Sequence, residues 1–252
     1  MSDPQFYVLL PSNASLDIYE DNTLTSYKVH LPEPLVLESD YEVGLQSIIW
    51  PRTFYNITRT SQRLYYHSPT DEIDVILINE GYYGTMKELI SEINAKTKKA
   101  VGENIKLTYD ATSEKIRVYV KNGYKLLLVK GVLSQILGFA GKETMIPKTQ
   151  LSPFTCDLSG GIRCLYLYCD ITDYQIVGDT KAKLMKVLPV EGKYGDTIYK
   201  TFDVPTYYPI GIKQFQDIKI DIRDDSGQKV QFNSGRVVVN LHIRQRQLPY
   251  IV

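Results

Sequence analysis

Histidines, cysteines and paired carboxylates are the side chains through which this 252-residue chain could hold a metal or move a proton, and they are few. His30, His67 and His242 lie far apart, and none falls in the HxxxH or HExxH spacing that turns two imidazoles toward one ion. His30 and His242 sit inside alternating segments, which suits a solvent-facing or hydrogen-bonded histidine better than a ligand. Cys156, Cys164 and Cys169 lack the spacing of a zinc site. The odd offset between Cys164 and Cys169 puts them on opposite faces of one strand, where they cannot bridge, so the three read as buried, reduced thiols. The pairs Glu20-Asp21 and Asp224-Asp225 could bind a cation but suit turns better. Ser159-Gly-Gly161 precedes a strand rather than a helix, so it reads as a turn and not as a phosphate cradle. There is no GxSxG and no Walker loop, and the sequons at Asn13 and Asn56 read as chance matches. On these grounds no catalytic, cofactor-binding or metal-ligating residue is assigned, and the chain is expected not to be an enzyme.

The elements that would position any site are strands. Val, Ile and Thr supply 61 residues and Tyr another 20, against only 6 Ala. β-Branched and aromatic side chains favour pleated sheet, and the best helix former is scarce. Alternation predicts strands at Tyr27–Leu31, ended by Pro32 and Pro34, and at Tyr41–Trp50, where Tyr41, Val43 and Leu45 face a core. Ile73–Ile78 is another strand, and the segment before it, to about Pro69, is less regular. Thr85 with Glu88 forms a capping box, and Met86, Leu89, Ile90 and Ile93 follow at helical spacing, so a helix runs to about Lys98. A hairpin joins Ile105–Tyr109 to Lys115–Val120, a strand covers Lys125–Val129, and Val132–Leu137 is a helical turn stopped by Gly138. Further strands follow at Arg163–Ile171, Leu184–Val190, Thr197–Val204, Phe215–Arg223 and Arg236–Arg244. Many short strands at this spacing predict an all-β, single jelly-roll sandwich over 1–252, with a small α+β insertion over 79–150.

Charge is balanced overall but divided along the chain. Residues 1–50 hold eight acids and one cation, Lys28, for −7, whereas residues 86–150 hold twelve Lys/Arg and six Asp/Glu, for +6. The division reads either as two solvated surfaces or as complementarity between neighbouring copies. Zero net charge argues against a general nucleic-acid binder. No apolar run approaches a membrane span, and Met1–Tyr7 has neither the basic start nor the apolar core of a signal peptide, so the chain is expected to be made and kept inside a cell. Tyrosine pairs at Tyr65-Tyr66, Tyr82-Tyr83 and Tyr207-Tyr208 suit either an interface or ordinary sheet packing. A structural or interaction protein leads. A non-catalytic carbohydrate- or receptor-binding module is the alternative, although Trp50, the one tryptophan, falls in a strand expected to be buried rather than on an exposed platform.

An ordered set of short motifs narrows the choice. It runs from Gly81-Tyr-Tyr and Leu133-Ser-Gln-Ile-Leu-Gly-Phe139 through Leu165-Tyr-Leu-Tyr-Cys-Asp-Ile171 and Val177-Gly-Asp179. It continues with Leu188-Pro-Val190, Tyr207-Tyr-Pro209, Phe215 with Ile218, Ile220 and Ile222, Asp225-Ser-Gly227, Phe232, Gly235 and Leu241-His-Ile-Arg244. In this order the set resembles the minor capsid, or penton, proteins of Polintons (Mavericks), virus-like DNA transposons, and of the related adintoviruses. The family often has an aromatic where Ile243 stands. The Arg-Gly-Asp receptor motif of adenovirus penton bases is missing, so that kind of receptor binding is not carried over. The resemblance implies a virion capsid protein, a homopentamer at the fivefold vertices of an icosahedral shell. Its neighbours would be double-jelly-roll major capsid proteins, and it would take no small-molecule substrate, cofactor or membrane span.

Overall fold

The computed structural model describes residues 5–246, and most of their regular structure is strand. Three strands come first: β1 (Gln5–Pro11), β2 (Ser26–Val36) and β3 (Tyr41–Pro51). Next come β4 (Arg63–His67), β5 (Ile73–Leu77), helix α1 (Met86–Val101), β6 (Ile105–Asp110), β7 (Lys115–Val120), β8 (Lys125–Leu128), helix α2 (Val132–Ile136), β9 (Thr144–Ile146) and β10 (Gln150–Leu151). The chain then forms β11 (Cys164–Cys169), β12 (Gln175–Val177), β13 (Thr180–Ala182), β14 (Leu184–Pro189), β15 (Thr197–Thr201), β16 (Tyr207–Pro209), β17 (Gln214–Arg223) and β18 (Val238–Gln245). Two units result, one of Met1–Phe54 with Ile162–Val252 and one of Tyr55–Gly161.

The first unit is a jelly roll. One sheet runs β1-β18-β3, with β15 and β16 in line along the far side of β3, and the other runs β14-β11-β17-β2. All these pairings are antiparallel, and the chain passes between the sheets at β1 to β2, β2 to β3, β14 to β15, β16 to β17 and β17 to β18. That is the double Greek key of a jelly-roll sandwich, as the strand spacing predicts. Inward side chains of both sheets share one core, including Leu10, Val43, Ile48, Trp50, Leu165, Ile218, Ile220 and Leu241. The Tyr27 hydroxyl donates across it to the Leu10 carbonyl at 3.0 Å.

Two details depart from simple alternation. Gln46 is an extra residue on β3, because Leu45 pairs with Leu241 while Ser47 pairs with Asn240. The bulge shifts the parity, so Val43 and Leu45 before it and Ile48 and Trp50 after it all point inward. Pro32 and Pro34 do not end β2, contrary to the sequence expectation. The strand continues to Val36 because it is an edge strand, and residues 31–34 bulge opposite Gln216, whose amide donates to the Leu31 carbonyl at 3.1 Å.

The second unit has its own core, its own sheets β10-β7-β6 and β5-β4-β8-β9, and both helices. It runs wider than the 79–150 segment, since β4 and β5 make half of its larger sheet. β4 lies in the stretch read as less regular; Leu64 and Tyr66 point inward from it and earn their place by pairing with β5 and β8. At α1, the Glu88 amide donates to Thr85 Oγ1 at 3.2 Å, and the Glu88 carboxylate accepts from the Gly84 amide at 2.9 Å. The helix runs past Lys98 to Val101, burying Met86, Leu89, Ile90, Ile93 and Val101. Asn94 ties it to β6, exchanging two 2.8 Å bonds with the Leu107 backbone. Gly138 ends the α2 turn at φ 81°, where a Cβ would come within 2.3 Å of the Phe154 carbonyl oxygen.

Candidate functional site

The densest group of side chains distant in sequence lies on the outer face of the β1-β18-β3 sheet. Strand register sets Tyr7 beside His242 and Gln5 beside Arg244, and on β3 Gly44 beside His242 and Glu42 beside Arg244. β16 brings Tyr207 beside Gly44. Tyr7 stacks on His242 with ring centroids 4.7 Å apart. Tyr207 donates to His242 Nδ1 at 2.7 Å, which leaves Nε2–H to donate to Gln5 Oε1 at 3.1 Å. Arg244 lies 3.6 Å from the Tyr207 ring centre and gives Nε–H to Glu42 at 2.7 Å. Only glycine fits beneath Tyr207, since a Cβ on Gly44 would sit 2.8 Å from Pro205 Cβ and 3.1 Å from the Tyr207 ring.

The electrostatics of this cluster favour the neutral imidazole. His242 is 6% exposed, and burial followed by the nearby Arg244 charge lowers its pKa below the usual histidine value. Burial raises the Tyr207 pKa, so the phenol keeps the proton it donates. Both imidazole nitrogens are engaged and the ring is covered by Tyr7. The group is a clamp across four strands, β1, β18, β3 and β16.

The other flagged residues also have partners. His30 Nδ1 and the Tyr19 hydroxyl meet Asp217 Oδ1 at 2.8 and 2.6 Å, and the Tyr19 bond and then the His30 bond hold that carboxyl below the usual range. His67 lies 3.3 Å from Asp71, which is lowered first by Lys125. Asp225 caps the amides of Arg163 and Cys164, and Asp224 accepts from Ser226 and Gln228, so this acidic pair builds a turn. Among the described residues no group of three His, Cys, Asp or Glu is placed to hold a metal. The cysteines are free, but only Cys169 is buried, with its thiol pushed by burial up to about 12; Cys156 and Cys164 are half-buried, against expectation. Cys156 lines a shallow groove of ≈ 410 Å³ in the second unit beside Thr85, Tyr109 and Glu114. Its thiol donates to the Glu114 carbonyl at 3.0 Å, and burial raises its pKa, which makes it a poor nucleophile.

What remains for function is surface. The tyrosine pairs are not the exposed ones: Tyr66 is buried, and Tyr65, Tyr82, Tyr83, Tyr207 and Tyr208 are half-buried. The most exposed tyrosines among the described residues are Tyr7, Tyr174 and Tyr199, each more than 60% exposed. The hairpin β12–β13 was missed by the sequence reading, although Gly178-Asp179 between two short β-forming runs is its signal, and it exposes Ile176 at 81%. In the second unit Val75, Tyr65, Leu127 and Met145 form one row across the outer face of its four-stranded sheet. Trp50 is fully buried, so it presents no platform for a sugar. No helix among the described residues is long and apolar enough to cross a membrane.

No protein-family model matches the chain, and no curated protein matches it. Among solved structures it is similar to the selenomethionine-labelled mavirus penton protein. The match covers 95% of this chain and 99% of that one, with a TM-score of 0.52 and 10% sequence identity. A likeness at that identity speaks for the fold. Its coverage takes in the second unit as well as the jelly roll, and the expected all-β jelly-roll class is borne out.

Proposed function

We propose that this chain is a non-enzymatic capsid protein, the penton of an icosahedral virus-like shell, assembling as a homopentamer at the fivefold vertices. The observation that carries the reading is the end-to-end likeness to a penton protein, because a shared jelly roll alone would leave the 107-residue span Tyr55–Gly161 unmatched. The ordered motifs resembling Polinton and adintovirus minor capsid proteins point the same way. So does the spending of the His242 cluster on structure, since both imidazole nitrogens are already bonded. The jelly roll by itself decides nothing, as it hosts many activities. On this reading the neighbours are double-jelly-roll major capsid proteins, and the protein is made inside the host cell and ends in the virion. Light scattering over a concentration series, with negative-stain images, tests it. Five copies of a 28.8 kDa chain should weigh 144 kDa and show fivefold symmetry. A chain that stays monomeric at high concentration, or forms a stable trimer, would reject the pentamer.

A further inference from the structure

The two open edges of the β14-β11-β17-β2 sheet carry complementary chemistry at the same end of the sandwich. β2 and β11 both run antiparallel to β17, so the end of β2 at Val36 and the end of β11 at Cys169 point the same way. From that end, on the β14 side, the β12–β13 ribbon emerges. One face of it carries Tyr174, 63% exposed, and Ile176, 81% exposed. Lys181 pairs directly across from Ile176, and the Lys183 ammonium lies 5.2 Å from the Tyr174 ring centre. A lone two-stranded ribbon is marginal in water, and an isoleucine so exposed gains most from being covered.

On the β2 side the same end presents Val36, 62% exposed, flanked by the exposed carboxylates Glu33 and Glu38. Pro32 and Pro34 deprive this edge of ladder donors, so it accepts side chains rather than an added strand. Two strands separate the edges, about 14 Å at the usual strand spacing, so the complementary patches face opposite sides of one copy. Such patches make a heterologous contact between copies, the kind that closes into a ring.

We infer that the 174–183 ribbon of one copy docks on the β2 edge of a second copy of this chain, with Ile176 against Val36 and its lysines toward Glu33 and Glu38. The inference rests on the pentamer reading, and its test separates the two. The full-length protein is compared by light scattering with three variants: Ile176→Asp, Lys181→Glu, and the double variant Glu33→Lys/Glu38→Lys. Circular dichroism melts check that each is folded. Each variant should raise the concentration needed for assembly by about tenfold or more, the cost of a spoiled interface centre. Combining Lys181→Glu with Glu33→Lys/Glu38→Lys should recover most of the loss, because the reversed charges meet again between copies. A wild-type pentamer that all of these variants form equally well would overturn the docking while leaving the penton reading standing. A wild-type chain that never assembles would sink both.

Discussion

His242 titrates with a defined sign. Its pKa is lower in the folded protein than the ordinary value of 6.5, so on acidification the unfolded chain takes up this proton first. The stability it confers is complete above about pH 6.5 and drains away as the pH falls through the lowered folded value. Thermal melts of wild type and His242→Gln between about pH 8 and 5 should show a gap that narrows toward acid. A gap constant with pH would mean that the folded and unfolded chains bind this proton equally, so that His242 carries no shift. Tyr7 and Tyr207 cover the ring, Gln5 accepts from it, and Arg244, held by Glu42, adds the nearby charge that lowers its pKa further. Gly44→Ala tests the same clamp from beneath, since the new methyl would sit 2.8 Å from Pro205. It should cost about 1–3 kcal/mol in chemical denaturation, as overpacking does. It should also raise the His242 pKa, read by NMR, as Tyr207 is pushed away and water reaches the ring.

Single elements show where local chemistry suffices. Helix α1 starts at Thr85 because that hydroxyl accepts from the Glu88 amide, and Thr85→Ala should destabilise the protein by about 1 kcal/mol in urea denaturation. Thr85→Ser should retain most of that, because it keeps the acceptor. Elsewhere the sheet overrides local preference. β2 runs through two prolines because no described strand pairs with its outer side, and β4 forms because β5 and β8 flank it. The ribbon β12–β13 is the reverse case, a local hairpin with no sheet to support it. Its exposed apolar face is what the docking inference explains.

At the scale of the whole chain the question is how copies meet. Glu33, Glu38 and Asp40 of the acidic first fifty residues are exposed, although Asp40 is matched by Lys213 at 2.7 Å; Asp3 lies outside the described residues. Charges of −7 and +6 on separate stretches can steer association and are screened over about 8 Å at physiological ionic strength. Assembly followed by light scattering should therefore weaken from about 50 mM to 500 mM salt. Salt-independent assembly would assign the contacts to apolar groups such as Ile176 and Val36, and the charge division to solvent.

The sequence by itself determined what depends on neighbours two to four residues away. The inward alternation of Val239, Leu241 and Ile243, the α1 cap and stripe, the β6–β7 hairpin and the Gly138 stop are all legible there, because pleat, helical turn and positive φ are local properties. The all-β class and the absence of a histidine pair at metal spacing follow from the same kind of reading. Tertiary structure alone decided which strand lies beside which. That choice carried β2 past its prolines, shifted the parity of β3 at Gln46, and brought Tyr207 and Tyr7 to His242. It also decided which tyrosines face water. Pairing partners are chosen by burial and register summed over residues far apart in the chain, and no local window contains that sum.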